Sequence, residues 1–467
     1  MDEEDGERRV RAKPSGDGAV VEVDKLRNLP DSLLHQILLK LPTKDVVKCS
    51  VLSHRWRNLW RYVPGLDLQC GDFMVSDCDD FSDFMTLLGF VYRFLGFNSE
   101  SCLREFKLTV DSYKAVELGT DHFTHWINTV VKRKVQHLNI LDKNWEMNRV
   151  VIRIPGTVYS CESLVSLTLR YICLPNPPEL VSLPSLKVIV LDGVEFDNDL
   201  ALEMLILGCP VLESLSLNTI NMNGNLEYLQ VCSQSLLSFT YVEMMGYMNI
   251  IIDAPRLEYL RLSDKGMESF IIENHGSLVK ADIDTEFDLS FDNESDPYNL
   301  PKRHMIRNFL VGISCVKDMS ISSSTLEVIY NYSRCEKLPL FHNIAYLQVK
   351  FTDYRWGMLP IFLESCPNLR SLVLEISSRP PRKKGVSILR GPRQFLTSLE
   401  YVKIVKPMAE KATETNPKLV SYFLENSTIL KKLTLCLGNL RQKEEAVILR
   451  KLLTIPRLSA SCQVFVL

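Results

Sequence analysis

A recurring spacing of leucines constrains the fold of this 467-residue chain more than any other feature. The pattern L-x-x-L-x-L, or a close variant, opens six times in succession, at Leu164, Leu186, Leu212, Leu236, Leu257 and Leu278. The steps between openings are 22, 26, 24, 21 and 21 residues. Periods of 20 to 29 residues indicate leucine-rich repeats, which stack one strand per unit into a solenoid.

A second regularity supports the same architecture. A proline stands two residues before four openings, at Pro184, Pro210, Pro255 and Pro367, the last of which precedes a further opening at Leu369. Proline ends a preceding helix or turn and favours extended backbone. Helix-compatible segments lie between the strands, as at residues 122–131 and 199–207. We therefore predict an α/β solenoid of about thirteen units, each a strand with a helix or irregular return, in which weaker copies open at Leu103, Val135, Val316, Ile344, Leu399 and Leu430.

Residues 26–60 differ from the repeats and predict a helical hairpin. Two apolar-periodic stretches, residues 33–41 and 46–60, are separated by Pro42 and Thr43, which can end one helix and cap the next. A segment of this size carries more apolar side chains than it can bury alone. Those side chains either pack inside a larger helical domain or meet another chain.

The same segment resembles the F-box, the adaptor-binding module of SCF-type ubiquitin ligases. The resemblance rests on Leu29-Pro30, Leu41-Pro42, the string CSVLS at residues 49–53 and RWRNLW at residues 55–60. It implies a Skp-type adaptor as partner and, through that adaptor, a cullin. The implied adaptor-binding residues are Leu29, Pro30, Leu33, Ile37, Leu38, Leu41, Pro42, Val46, Val47, Val51, Leu52 and Trp56.

The last third resembles the FBD region that follows the repeats in a group of plant F-box proteins. The matching strings are WGMLP at residues 356–360, FLESCPNL at 362–369, YFLENS at 422–427, LKKLTL at 430–435 and LLTIPR at 452–457. We expect four parts along the chain: a disordered tail over residues 1–23, the F-box over 24–67, leucine-rich repeats over 100–350, and an FBD region over 351–467 that continues the array.

Alternation along each strand predicts where a target protein binds. In L-x-x-L-x-L, positions 4 and 6 face the core, so positions 3, 5 and 7 form the predicted concave face. This face includes Ser166, Thr168, Arg170 and Gln348. Tyrosine and arginine are common binding anchors, so these residues on the face could bind a target. The alternative is that the face binds no ligand and is covered by water. The predicted target-binding residues are Tyr259, Arg261, Tyr346, Lys350, Tyr401 and Lys403.

Two segments carry charge of one sign. Residues 281–296 hold seven carboxylates, and their first half places Asp282, Asp284, Glu286 and Asp288 along one face of a strand. Such a stripe can bind a basic target or can form a water-facing sheet edge that discourages aggregation. Residues 379–393 hold six basic side chains and no acid. These residues fit a nuclear import signal or a contact with an anion. Alternatively, they form a solvated insertion.

Composition narrows the classes of function that remain open. A net charge of −3 and a pI near 6.3 argue against a dedicated nucleic-acid binder, and no apolar run reaches the length of a membrane span. Thirteen cysteines without a C-x-x-C pair indicate reduced thiols in the nucleus or cytoplasm. Three of them, Cys161, Cys209 and Cys366, stand three residues before an opening leucine and are expected to be buried small side chains.

Catalytic signatures are missing from the sequence. It contains no G-x-S-x-G, phosphate-loop, dinucleotide-binding or H-E-x-x-H motif. His122 and His125 lie three residues apart on a predicted helix, but nothing nearby completes a metal site, so packing histidines are expected. We predict a non-catalytic substrate receptor without a cofactor. A repeat-based scaffold acting outside ubiquitination stays open as the alternative, and an enzyme with a dispersed site is the third option.

Overall fold

Two compact units, divided between Val63 and Pro64, make up the protein. A computed structural model describes residues 25–69, 80–97, 101–110, 121–143, 152–196, 198, 200–219, 221–222, 228–243, 249–267, 269–274, 276–287, 300–351, 358–376, 394–405, 417–436, 449–450, 452 and 454–467. The predicted tail, the basic segment 379–393 and the end of the acidic segment, 288–296, lie outside these ranges.

Helices occur in both units. The α-helices are α1 (Asp31–Leu38), α2 (Thr43–Lys48), α3 (Asp80–Gly96), α4 (Asp121–Lys132), α5 (Ala201–Leu207), α6 (Leu300–Gly312), α7 (Ser323–Ser333), α8 (Leu359–Glu364) and α9 (Pro417–Asn426). The 3-10 helices are Lys25–Asn28, Cys49–Val51, Trp56–Tyr62, Gly156–Ser160 and Gln394–Thr397.

The first unit is a small helical module with its own apolar core. That core consists of Leu34, Leu38, Val46, Leu59 and Val63, all buried. Because α1 places residues four apart on the same face, one face enters this core while the opposite face stays in water.

The predicted hairpin is correct for α1 and α2, but its second arm is shorter than expected. The helix α2 ends at Lys48, and two 3-10 helices cover most of the rest of the predicted stretch 46–60. Ser50 and Ser53 lie at this break, where serine side chains compete with helical hydrogen bonds. Pro42 occupies the N-cap position of α2, so Thr43 is the first helical residue and not the cap.

Parallel strands dominate the second unit. In chain order they are β1 (Gly65–Gln69), β2 (Glu105–Val110), β3 (His137–Asp142), β4 (Ser166–Arg170), β5 (Cys173–Leu174), β6 (Val188–Asp192), β7 (Glu195–Phe196), β8 (Ser214–Asn218), β9 (Asn221–Met222), β10 (Tyr228–Cys232), β11 (Ser238–Val242), β12 (Asn249–Asp253), β13 (Tyr259–Met267), β14 (Ser269–Ile272), β15 (Lys280–Phe287), β16 (Asp318–Ser322), β17 (Tyr346–Phe351), β18 (Ser371–Ile376), β19 (Tyr401–Val405), β20 (Lys432–Cys436) and β21 (Gln463–Val466).

These strands form one long sheet and two small ones. Within the described residues, the long sheet has fifteen strands in the order β1-β2-β3-β4-β6-β8-β11-β13-β15-β16-β17-β18-β19-β20-β21. The small sheets are β5-β7-β9 and β10-β12-β14. Spatial order follows chain order within the long sheet, as expected for repeats that contact mainly their neighbours.

The leucine spacing predicts the strands of the long sheet closely. Thirteen of them begin two residues after a predicted opening, and Leu167 and Leu169 of β4 are buried at positions 4 and 6 as expected. The predicted solenoid is therefore confirmed. The sheet also contains β1 and β21, which the repeat pattern did not include, and it begins at Gly65, ahead of residue 100.

A ladder of side-chain hydrogen bonds joins consecutive units. Serine hydroxyls donate to the backbone oxygen of the residue that opens the preceding unit. The Oγ to O distance is 2.9 Å from Ser163 to Val135 and 2.8 Å from Ser277 to Leu257. The other members are Ser235 to Leu212, Ser398 to Leu369 and Ser459 to Leu430. Each bond satisfies a backbone carbonyl that the strand ladder leaves without a donor.

Three cysteines confirm the packing role expected of them. Cys161, Cys209 and Cys366 are each no more than 3% exposed, and Sγ of Cys209 lies 3.0 Å from the Leu205 carbonyl oxygen. Burial raises the pKa of the Cys209 thiol to about 12, because an apolar environment disfavours the thiolate. The Cys209 thiol therefore fills the core in its neutral form.

The acidic stripe has the predicted alternation but not the predicted edge position. Asp282, Asp284 and Glu286 face outward, while Ile283 and Thr285 are buried. Their strand, β15, pairs with β13 on one side and β16 on the other. The interpretation as a protective sheet edge is therefore wrong for Lys280–Ile283, where both sides of β15 have strand partners.

Candidate protein-binding surfaces

The helical module exposes an apolar surface opposite its core. Leu33 and Ile37 are each 43% exposed and Leu41 is 39% exposed, whereas Leu34 and Leu38 point inward. Residues 33, 37 and 41 recur every four positions, so they extend along the outer side of α1 and its C-terminal turn. Val51 and Leu52 are the most exposed of the module's large apolar residues, at 85% and 66%.

Arg55 fixes the segment that carries Val51 and Leu52. Its guanidinium forms an ion pair with the carboxylate of Asp31, with Nη2 2.6 Å from Oδ1, and also donates to the backbone oxygen of Leu29. Asp31 is the first residue of α1, so this contact ties the 3-10 region to the start of that helix. The exposed leucine and valine are thus held in place without being buried.

The structure separates the predicted adaptor-binding residues into three groups. Leu38 and Val46 are buried in the module's own core. Leu29, Val47 and Trp56 are half-buried. The exposed members are Pro30, Leu33, Ile37, Leu41, Pro42, Val51 and Leu52.

The outward side chains of the long sheet form three rows because its strands are in register. Arg261 on β13 stands opposite Asp282 on β15, which stands opposite Ser320 on β16 and, beyond it, Gln348 on β17. Tyr259 and Tyr346 belong to the neighbouring row, opposite Lys280 and Asp318 respectively. We call this outward side the strand face.

Four of the six predicted target-binding residues lie close together on the strand face. Tyr259 and Arg261 belong to β13, and Tyr346 and Lys350 belong to β17, with β15 and β16 between them. Tyr401 and Lys403 lie two strands further along, on β19, and both are exposed. The predicted residues therefore form two groups and not one continuous site.

Asp282 is the charge at the centre of the first group. Its Oδ2 lies 3.9 Å from Nε of Arg261, and its Oδ1 lies 3.5 Å from Nζ of Lys350. Lys350 reaches Asp282 by crossing β16, whose outward residues Ser320 and Ser322 are small. A cavity of about 70 Å³ opens here, lined by Arg261, Ser263, Asp282, Asp284, Ser322 and Lys350 among others.

Polar side chains border this cavity on β17 and β18. Gln348 donates from Nε2 to Oε1 of Glu375 at 2.8 Å, and the Tyr346 hydroxyl lies 3.3 Å from Oε1 of Gln348. Burial, followed by the negative charges of Asp318 and Glu375, raises the pKa of Tyr346. The hydroxyl therefore stays protonated and able to donate at neutral pH.

Several residues of the strand face were not among the predicted site residues. Asp282 and Ser320 occupy the row between Arg261 and Gln348, and Lys432 lies 4.5 Å from the ring centroid of Phe465. The alternation that identified Arg261 applies equally to these positions. What identifies them is strand register, because it shows which outward residues of separate repeats become neighbours.

His122 and His125 contact an aromatic side chain in the structure. Nδ1 of His122 lies 2.9 Å from the hydroxyl of Tyr92, and the His125 ring centroid is 5.4 Å from that of Tyr92. Across the described ranges there is no cluster of three or more residues suited to holding a metal ion. Nor does any described helix combine the length and apolar character needed to cross a membrane.

Comparison with known families separates the chain into the same types of module. The family model of the F-box domain matches residues 26–67, and that of FBD matches residues 390–435. A third, described as FBD-associated F-box protein At5g56370, LRR repeats, matches residues 123–276.

Full-length relatives show the same combination. FBD-associated F-box protein At4g13985 of Arabidopsis thaliana is 69% identical over 466 residues, covering 100% of both chains. This chain belongs to the plant F-box/FBD/LRR-repeat family. F-box/LRR-repeat protein 13 of the same plant is 54% identical over 100% of both chains, and F-box/FBD/LRR-repeat protein At1g78750 is 54% identical over 99% of each. Membership in the F-box/FBD/LRR-repeat family assigns the helical module to the F-box, the strands within residues 123–276 to the leucine-rich repeats, and the part of the long sheet within residues 390–435 to the FBD.

Proposed function

We propose that this F-box protein is the substrate-recognition subunit of an SCF-type E3 ubiquitin ligase. Its F-box docks a Skp-type adaptor, which connects it to a cullin, and its strand face holds a target protein. The chain itself performs no chemistry in this scheme. Free thiols throughout the described residues suit the reducing cytoplasm or nucleus, which is where we propose that it acts.

The exposed apolar surface of the F-box carries the proposal. Leu33, Ile37, Leu41, Val51 and Leu52 each leave 39% or more of their surface in water. The module has a separate core of five buried residues, so this surface is not needed for its own packing. Exposed apolar side chains gathered on one small module are typical of a protein interface.

Proximity is what such a receptor contributes to catalysis. Holding a target near a charged ubiquitin-conjugating enzyme raises the effective concentration of its lysines, as tethering does for any linked pair of binding sites. A solenoid suits this role because each unit packs on its neighbours, which keeps the target at a fixed distance from the end of the array.

A pull-down with a purified Skp-type adaptor tests the proposal. Val51→Asp combined with Leu52→Asp places two charges where the interface needs apolar contact, so we expect binding to fall at least tenfold. Leu207→Asp is the matched control, since Leu207 of α5 is 69% exposed and Leu52 is 66% exposed. The control should bind the adaptor like the wild type.

Circular dichroism checks that each variant is folded. Purification of the protein from a plant extract shows whether a cullin is bound together with the adaptor. A folded wild-type protein that fails to bind any Skp-type adaptor would contradict the proposal. The chain would then act as a repeat-based scaffold outside ubiquitination, and purification would recover a target protein without adaptor or cullin.

A further inference from the structure

A furrow on the strand face contains charged side chains whose capacity to form ion pairs is not fully used within the protein. Its floor is β16, where the outward side chains of Ser320 and Ser322 are short. Its walls are β13 and β15 on one side and β17 on the other. We name it the β16 furrow and define it by the lining residues Arg261, Asp282, Asp284, Ser322 and Lys350, together with Ser320, which stands opposite Asp282 in register.

The ion pairs inside the β16 furrow are loose. Arg261 and Lys350 approach Asp282 at 3.9 and 3.5 Å, whereas a charge-assisted hydrogen bond between nitrogen and carboxylate oxygen is about 2.7–2.9 Å long. Two cations also share one carboxylate. Exposed pairs of this kind contribute little to stability, so a ligand can rearrange them readily.

One charge of each sign is left over. Among the described residues, Arg261 has no polar partner besides Asp282, and its side chain is 52% exposed. Asp284 is exposed and has no polar partner among the same residues. Since Arg261 stands opposite Asp282 in register, Arg261 and Asp284 are diagonal neighbours on adjacent strands.

A buried hydroxyl supplies a second and independent indication of a ligand. Ser320 is 9% exposed, and its Oγ has no hydrogen-bond partner in the described part of the chain. It lies between Asp282 and Gln348 in the same row of the strand face. Buried polar atoms nearly always have a partner, and a ligand that rearranges the loose ion pairs of the furrow can supply one to this covered hydroxyl.

We propose that the β16 furrow binds an extended segment of the target protein that carries an acidic and a basic side chain two residues apart. The acid pairs with Arg261, the base pairs with Asp284, and a polar group of the segment bonds to Ser320. Side chains at i and i+2 of an extended chain are about 7 Å apart and point the same way, which is close to the roughly 8 Å that separates Arg261 from Asp284, one strand across and two residues along the sheet. This inference rests on the proposed function, because it names what the receptor recognises.

A displayed library of random ten-residue peptides, selected on the full-length protein, tests the inference. Opposite charges at positions i and i+2 should be enriched over like charges at those positions. Asp284→Lys changes the negative side of the furrow to positive, so the preference should switch to two acids at i and i+2. A peptide chosen by the wild type should bind this variant about tenfold more weakly by fluorescence polarisation.

Asp192→Lys is the matched control. Asp192 lies on β6 of the same sheet, and its Oδ2 is 3.9 Å from Nε of Arg170, the same separation as in the Arg261 pair. Selection on this variant should return the wild-type preference. The inference is overturned if no peptide is enriched, if enriched peptides lack opposite charges at i and i+2, or if Asp192→Lys shifts the preference as Asp284→Lys does.

Adaptor binding is measured on the same protein samples. Asp284→Lys lies in the second unit and leaves the F-box residues unchanged, so adaptor binding should persist in every variant. Adaptor binding without the peptide preference overturns only the inference that the furrow binds a peptide segment. The peptide preference without adaptor binding overturns the ligase role and leaves the furrow as a peptide-binding site.

Discussion

At the scale of single residues, packing between consecutive units depends on a few positions with no spare volume. Gly208 follows the last residue of α5, and its backbone oxygen accepts a hydrogen bond from the nitrogen of Leu183 at 3.0 Å. A Cβ atom at this position would lie 2.4 Å from Cγ1 and 2.9 Å from the backbone oxygen of Val181. The close approach of the two segments therefore requires glycine.

Alanine substitutions at two glycines should have opposite effects on stability. We expect Gly208→Ala to lower the free energy of unfolding by about 1–3 kcal/mol, because the backbone of Val181 must move. Gly89 lies inside α3, and a Cβ atom there would have no neighbour within 4 Å, so Gly89→Ala should raise the free energy of unfolding by about 0.5–1 kcal/mol. Thermal melting followed by circular dichroism measures both. A stabilised Gly208→Ala variant would show that the two segments are not closely packed.

At the scale of elements, one side chain joins a helix to the acidic strand. The hydroxyl of Thr325 in α7 accepts from the backbone nitrogen of Thr285 in β15 at 2.9 Å, and it lies 3.2 Å from the backbone oxygen of Ile283. The paired register of β15 and β16 ends at Ile283. Thr325 thus continues the hydrogen bonding of β15 where its strand partner stops.

Removing this hydroxyl should destabilise the protein. Thr325→Val keeps the volume but leaves buried backbone groups of β15 unpaired, which costs about 1–3 kcal/mol. Thr325→Ser keeps the hydroxyl and should lose less. Urea unfolding monitored by circular dichroism compares the two variants with the wild type. A Thr325→Val variant that loses no more stability than Thr325→Ser would contradict the role assigned to the hydroxyl.

The elements also show how far sequence reasoning reaches. Openings such as Leu164 predict strand positions to the residue, because burial at positions 4 and 6 imposes the pattern directly. The leucine pattern does not predict the last strand, β21, because polar Ser461 occupies its opening position. The furrow cannot be predicted from the pattern for a different reason. Lys350 lies 68 residues from Asp282 in the sequence, and only strand register brings the two together.

At the scale of the whole molecule, the second unit is a linear stack whose strands differ in how many neighbours they have. Strand β13 pairs on both sides, whereas β21 pairs with β20 alone among the strands that the structure describes. Stability in such arrays is close to a sum over units and their interfaces. Opening should therefore be easiest at an end of the stack and hardest in its interior.

Hydrogen exchange measured by mass spectrometry checks this gradient. Amides of β21 should exchange faster than those of β13. Leu167→Ala removes a buried side chain from β4, so exchange should accelerate in β3, β4 and β6 and stay unchanged in β20. A uniform acceleration along the sheet would instead indicate that the stack unfolds as one cooperative unit.

The serine ladder has a mechanical consequence. Each serine hydroxyl holds its own unit to the unit before it, as Ser459 does to Leu430 and Ser398 does to Leu369. A force applied at the C-terminal end loads one such bond and its strand pair at a time, since the next interface carries tension only after the first has parted. In an optical trap the array would open one unit at a time from this end, and each C-terminal unit of about 30 residues would release about 10 nm of chain.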